Sequence, residues 1–173
     1  METYNVFDKE NHFCPTITKV EFENLHSWDF GWAVLEGINT ASGDEAEKKL
    51  SKRLSPGQKA LYFFWYLDAQ VTNGGFIQFY WNGYRKYLTA ITEGLRLIDD
   101  KELLNLLEMA DKEYQSNKGK FDLQQTEGDS EPLYDQLTKF DEYDSLYYKT
   151  HHNTMELLEQ YIRKNTDEFV ILE

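Results

Sequence analysis

Residues 61–67 read Leu-Tyr-Phe-Phe-Trp-Tyr-Leu, seven consecutive apolar or aromatic side chains without a charge among them. Such a run is apolar on every side, so it belongs at the centre of a fold with neighbours on most faces. A buried strand and a buried helix both fit the run itself. Its flanks favour the helix: Ser55 is a good N-cap, and Pro56 at the first helical position loses no needed hydrogen bond. The apolar character also reaches Val71, which is helix length. The expectation is a central helix over residues 55–72.

Helical spacing recurs around this segment. Tyr84, Tyr87, Leu88, Ile91, Leu95 and Ile98 step by three and four, the stripe of an amphipathic helix. Leu103, Leu107, Ala110 and Tyr114 repeat it, widened by Leu104 and Leu106. Asp99 and Asp100 supply carboxylates suited to that helix's N-terminus. Phe140, Tyr143, Leu146 and Tyr147 resume the spacing, and Met155, Leu158 and Ile162, flanked by Leu157 and Tyr161, form a last stripe. Upstream, Leu25, Trp28, Trp32, Leu35 and Ile38 predict a first helix, weakened by Gly31. Residues 41–43 read as a turn and 44–50 as a short charged helix. Between 116 and 130 the periodicity fails, and glycines, glutamines and single charges predict an exposed loop. The apolar run 169–172 either tucks onto the core or makes a contact between copies. Together these predict an all-α, single-domain multi-helix bundle over 1–173, built around a central aromatic helix.

A chain of 173 residues buries about two thirds of its unfolded surface. With 16% aromatic residues it has ample core material and is no disordered acidic tail. Cys14 is the single cysteine and cannot close an internal disulfide, which fits a reducing compartment. Beside Pro15 it reads as a half-buried small apolar residue. Residues 1–5 have neither a cationic nor an apolar region, so no secretory signal is expected. No window approaches the roughly 18 apolar residues of a membrane span. The expected location is the cytoplasm.

The most specific segment is 71–83, Val-Thr-Asn-Gly-Gly-Phe-Ile-Gln-Phe-Tyr-Trp-Asn-Gly. Asn73-Gly74-Gly75 permits positive φ and lets the chain leave a helix through a left-handed cap. Phe76, Phe79 and Tyr80 then fall at helical spacing, aimed at the core, and Asn82-Gly83 makes a second stop. A glycine pair can also cradle phosphate, but no Lys-Ser/Thr follows and GxGxxG spacing is missing, so a structural turn is the reading.

This Asn-Gly-Gly-Phe-x-Gln-Phe-x-x-Asn pattern, behind a Ser-Pro-Gly-Gln-Lys helix start, resembles a bacterial domain family, otherwise of unassigned function, whose best-known members are DNA-mimic proteins. The resemblance covers roughly residues 54–110, and Asn73, Gly74, Gly75, Phe76, Phe79 and Asn82 match the motif. It implies an acidic, helical, dimeric protein that occupies a transcription factor's DNA-binding surface. Surface carboxylates, rather than the motif residues, would do this.

The charge distribution bears on that implication. Nineteen of the 31 carboxylates lie after residue 98, against eight lysines and arginines, for a formal charge of −11. Residues 1–98, with ten cations and twelve carboxylates, carry −2. In 121–144, Asp122, Glu127, Asp129, Glu131, Asp135, Asp141, Glu142 and Asp144 face one cation, Lys139. Such a field repels nucleic acid and anionic membrane and attracts basic surfaces. These eight are the candidate partner-binding residues. The partner expected is a basic protein, a DNA-binding transcription factor, with no direct nucleic-acid or membrane binding; a homodimer would double one acidic face.

Two other readings remain open. Small acidic helical chains equally suit an immunity or inhibitor protein that neutralises a basic toxin or nuclease. Alternatively, Tyr62, Trp65 and Tyr66 could line a pocket for a small-molecule binder or enzyme. No spacing nominates an acid–base pair, and no nucleophile elbow is visible. His152 and Glu156, four apart beside His151, offer two metal ligands, but no HExxH motif or second His/Cys cluster completes a site. His12 and His26 read as ordinary helix or loop residues. No catalytic residue, metal or cofactor is therefore expected.

Overall fold

The computed structural model describes residues 3–173; Met1 and Glu2, where the segment read for a signal begins, lie outside the described residues. Its helices are α1 (Lys19–Asn24), α2 (Ser27–Ile38), α3 (Asp44–Ser51), α4 (Pro56–Trp81), α5 (Leu88–Leu97), α6 (Lys101–Glu127), α7 (Glu131–Gln136), α8 (Lys139–Lys164) and α9 (Thr166–Phe169). Short 3-10 turns occupy Thr3–Asn5, Lys9–Asn11 and Tyr84–Tyr87, and β1 (Thr16–Ile17) pairs in parallel with β2 (Ile171–Leu172). The molecule is 79% helical, all-α as the periodicity predicts. No helix among the described residues is long and apolar enough to cross a membrane.

The aromatic run forms the middle of α4, which touches α2, α5, α6, α8 and α9. Leu61, Tyr62, Phe63, Phe64 and Leu67 are each at most 1% exposed, the burial expected of a rod apolar on every side. Its start is a capping box: Ser55 Oγ accepts from Gln58 N at 3.1 Å, and Gln58 Oε1 accepts from Ser55 N at 2.9 Å. The Gln58 amide also donates to the carbonyls of Phe13 and Phe169, and Glu168 Oε1 accepts from Gly57 N. Both ends of the chain are thereby fastened to the first turn of α4. Opposite, α5 lies so close that a Cβ on Gly94 would stand 2.8 Å from Ala60 Cα. Asp100, 2% exposed, caps α6 through Leu103 N and accepts from Thr154 Oγ1 of α8 at 2.5 Å.

Three sequence expectations need correction. Residues 116–127, read as a loop, continue α6, which ends only at Gly128, in the left-handed conformation at φ 77°. Phe121 and Gln124 hold that stretch: Phe121 is 1% exposed and packs on Tyr80, Tyr114 and Phe140. Tyr114 and Phe121 are seven apart, two full turns, so the apolar stripe persists in a thinned form. The expected helix at 84–98 opens as a 3-10 turn and becomes α-helical at Leu88. The two stripes at 140–147 and 155–162 belong to one helix, α8. The closing run, for which the sequence leaves both alternatives open, tucks inward: Phe169 and Val170 are buried, and Ile171 N and Glu173 N donate to Pro15 O and Ile17 O, while Ile171 stays 55% exposed.

Candidate functional site

The Asn-Gly-Gly segment is a kink inside α4. Gly74 has φ −153° and ψ 26°, neither helical nor extended; Gly75 has φ 72° and ψ −176°, a region open essentially to glycine alone. The positive φ expected of the pair therefore falls on Gly75 only, and the helix resumes at Phe76 instead of ending in a left-handed cap. Phe76 and Phe79 are fully buried, Phe76 edge-on to Tyr147 at 5.9 Å. Asn73 donates to Gln78 Oε1, while Gln78 and Asn82 both donate to Gln70 Oε1, an amide chain along the outside of the bend.

This kink anchors the acidic segments. Tyr134 of α7 donates to Gly74 O at 2.9 Å, and Tyr148 of α8 donates to Thr72 O at 2.9 Å. Asp144 Oδ1 accepts from Phe76 N at 2.8 Å, the capping role for a helix restarting there. At the other end of α4, Gln125 of α6 donates to Trp81 O. Gln125 of α6, Tyr134 of α7 and Asp144 and Tyr148 of α8 thus each bond to the second half of the central helix.

The eight carboxylates named from sequence differ in what surrounds them. Asp122, exposed on α6, is paired with Lys118 at 2.6 Å. Glu127 ends α6 and is exposed. Asp129 is exposed in the connecting turn, where its Oδ1 accepts from Glu131 N at 3.0 Å. Glu131 and Asp135 are exposed on α7, and Asp141 and Glu142 on the first turn of α8, where the positive helix end favours them. Lys139 turns away to Glu113 at 2.8 Å and lies over the Tyr143 ring. Its bond to Glu113, reinforced by Tyr143, pushes its pKa up to about 12. Among the described residues, Asp122 is the one member of the eight with an ion-pair partner.

Asp144 is a correction. Half-buried, its carboxylate faces the kink, and a Cβ on Gly75 would stand 2.1 Å from its Oδ2. Burial pushes its pKa up to about 6 against the opposing Phe76 N–H bond, with the Asp141 charge adding to the rise. Its work is internal, and periodicity carries the signal: Asp144 sits one residue from Tyr143 and three before Tyr147, on the edge of the buried face of α8.

The aromatic centre is packed. Tyr62 and Tyr66 share a hydrogen bond at 2.9 Å, and Glu47 of α3, 5% exposed, accepts from Tyr66, Tyr87 and Tyr4. Phe63 fills the space between these rings. Tyr62 and Tyr66 are thus committed to one another and to Glu47, while Trp65 faces the surface. Glu47 was not foreseen; its three-residue offset from buried Leu50 is the signal that places it inward. His152 lies 3.3 Å from exposed Glu156, and His151 stacks on Tyr147. No group of three or more metal-binding side chains forms among the described residues.

The family described as DMP19-like protein matches residues 52–165. One relative is the DNA mimic protein DMP19 of Neisseria meningitidis serogroup B (strain ATCC BAA-335 / MC58). It is 31% identical over 119 residues, which cover 67% of this chain and 72% of that protein.

Proposed function

This chain belongs to the DMP19-like protein family, and from that membership we propose that it is a non-enzymatic acidic interaction protein. It acts as a DNA mimic, competing with DNA for the basic surface of a DNA-binding regulator. The observation that carries the reading is the set Glu127, Asp129, Glu131, Asp135, Asp141 and Glu142. All six are exposed on consecutive segments fastened to α4, and none is neutralised by a neighbouring lysine or arginine among the described residues.

Duplex DNA presents one charge per roughly 1.7 Å of axis. Carboxylates on successive helical turns sit about 5–6 Å apart on one face. Three acidic segments that share one face would approach that density in a way one helix does not. A groove-reading surface rich in arginine and lysine gains long-range attraction to such a set, and the attraction weakens with salt.

The test has two steps. The chain, immobilised, is exposed to a bacterial lysate at low and at high salt, and the basic proteins retained are identified. Each is then bound to its own duplex and challenged with the free chain in a gel-shift titration. Salt-sensitive capture of a regulator, followed by release of its DNA, is the expected result. Recovery of no basic protein at either salt, or of one that keeps its DNA, defeats the reading.

A further inference from the structure

We propose that three tryptophans on the surface formed by α2, α4 and α8 make a docking site for a guanidinium group, presented by an arginine-bearing segment of a basic protein. The proposal rests on the DNA-mimic reading for the kind of partner. Its site is separate from the acidic segments and from the kink.

Trp28 and Trp32 stand on α2 and Trp65 on α4. The Trp32 and Trp65 rings lie 5.2 Å apart at 41°, and Trp28 meets Trp65 edge-on at 5.3 Å and 70°. The far side of Trp28 rests on His151 of α8 at 5.9 Å. The three indoles form a corner, and Trp32 is 45% exposed. Trp28 and Trp65 are half-buried against the core and hold Trp32 in place, so one exposed indole stands on a fixed aromatic platform, the arrangement of an aromatic anchor site.

Charge says what covers it. Asp29, Trp32 and Glu36 follow at spacings of three and four on α2, so they share one flank of the helix. Both carboxylates are exposed, and neither is ion-paired among the described residues. An indole face bracketed by two free carboxylates attracts a cation through the ring quadrupole and through both charges. Guanidinium fits best: it is planar, stacks on indole, is weakly hydrated and bonds carboxylate through its fork. Nucleic-acid bases also stack on tryptophan, but their phosphates are repelled by a chain of net charge −13. Trp28, Trp32, Asp29 and Glu36 precede residue 52, where the family match begins, while Trp65 lies inside it, so the site joins the N-terminal region to the matched segment.

The indole N–H resonances of the labelled full-length chain report the site, with Trp81, at the far end of α4, as internal control. The probe is a capped peptide of alternating glycine and arginine, compared with the same peptide carrying neutral citrulline. The arginine peptide is expected to shift Trp32 and Trp65 saturably while Trp81 stays still. Citrulline should shift neither. Trp32→Ala, and separately the pair Asp29→Asn with Glu36→Gln, should each weaken binding read at Trp65 by roughly two- to fivefold. Trp32→Phe, which keeps a ring and the fold, should fall between.

Equal shifts with citrulline, or full binding by the double amide variant, overturn the proposal in favour of plain apolar docking. Indole shifts that depend on protein concentration without peptide overturn it in favour of a contact between copies. Silent indoles with a chain that still releases a regulator's DNA sink this site alone. Responding indoles in a chain that releases none sink the mimic reading and leave the site standing.

Discussion

Gly75 and Asp144 form one device: the backbone turns where a side chain would strike the carboxylate, and the carboxylate caps the helix that restarts beyond. Gly75→Val is expected to cost at least about 2 kcal/mol, since φ 72° strains a branched residue and its Cβ would overlap Asp144; chemical denaturation measures this. Gly74→Ala should cost less, because its φ is negative and the nearest obstacle is the movable amide end of Gln78. Equal losses at the two glycines would contradict the geometry. Asp144 makes a second prediction. The folded chain holds its proton up to about pH 6, whereas an ordinary aspartate releases it near 3.8. Between those values folding takes up a proton, so this group's contribution to stability falls as pH rises. Asp144→Asn keeps the acceptor for Phe76 N and removes the titration. It should flatten the stability profile between about pH 4 and 6 and gain on the order of 1 kcal/mol at pH 7, after allowance for partial solvent access. Asp144→Ala strands the Phe76 N–H and should lose about 1–3 kcal/mol instead. The sequence marked both glycines as special, but Asp144 was counted among surface charges. A tertiary partner 68 residues away, Phe76, decides its direction, and local spacing carries no such information.

At the scale of elements, legibility followed the density of apolar positions. The start of α4 was readable because Ser55, Pro56 and Gln58 are a local signal that needs no tertiary partner. The end of α6 was not, because only Phe121 and Gln124 of its last turns reach the core, and the rest of the face is polar. α1 and the two strands are too short for any period to declare itself, and β1 exists only through its pairing with β2 some 150 residues on. Gly119 tests the corrected boundary. It lies inside α6, exposed, with nothing within 4 Å of an added Cβ. Gly119→Ala should therefore stabilise the protein by about 0.5–1 kcal/mol, the helix-interior difference between the two residues. In a flexible loop the same change would raise stability little and helix content not at all, so circular dichroism alongside thermal melting separates the two structures.

Over the whole molecule, what a partner meets is the balance between charges that the bundle neutralises internally and those it leaves out. Asp99, Glu108, Asp111, Glu113, Asp122 and Glu159 of the acidic half are all paired with cations; the unpaired exposed carboxylates are the six around α7 together with Glu102, Asp167 and Glu173, so the six are the largest run of them along the chain. The counts of acids and bases located the excess in that half; which carboxylates were free depended on where Lys118 and Lys139 pointed. Replacing Glu127, Asp129, Glu131, Asp135, Asp141 and Glu142 with their amides lowers the net charge from −13 to −7 without touching a buried side chain. Stability should hold or rise slightly, because repulsion among unpaired like charges is relieved while Asn at 129 keeps the acceptor for Glu131 N. Removing favourable charges from the first turns of α7 and α8 opposes this by a few tenths of a kcal/mol each. Competition with DNA should be lost in the gel-shift titration, and what binding survives should depend less on salt. Asp144→Asn alone, although it removes a carboxylate from the same stretch, should compete as the unaltered chain does. A sixfold variant that melts normally and still displaces DNA would show that the partner reads some other surface of this bundle.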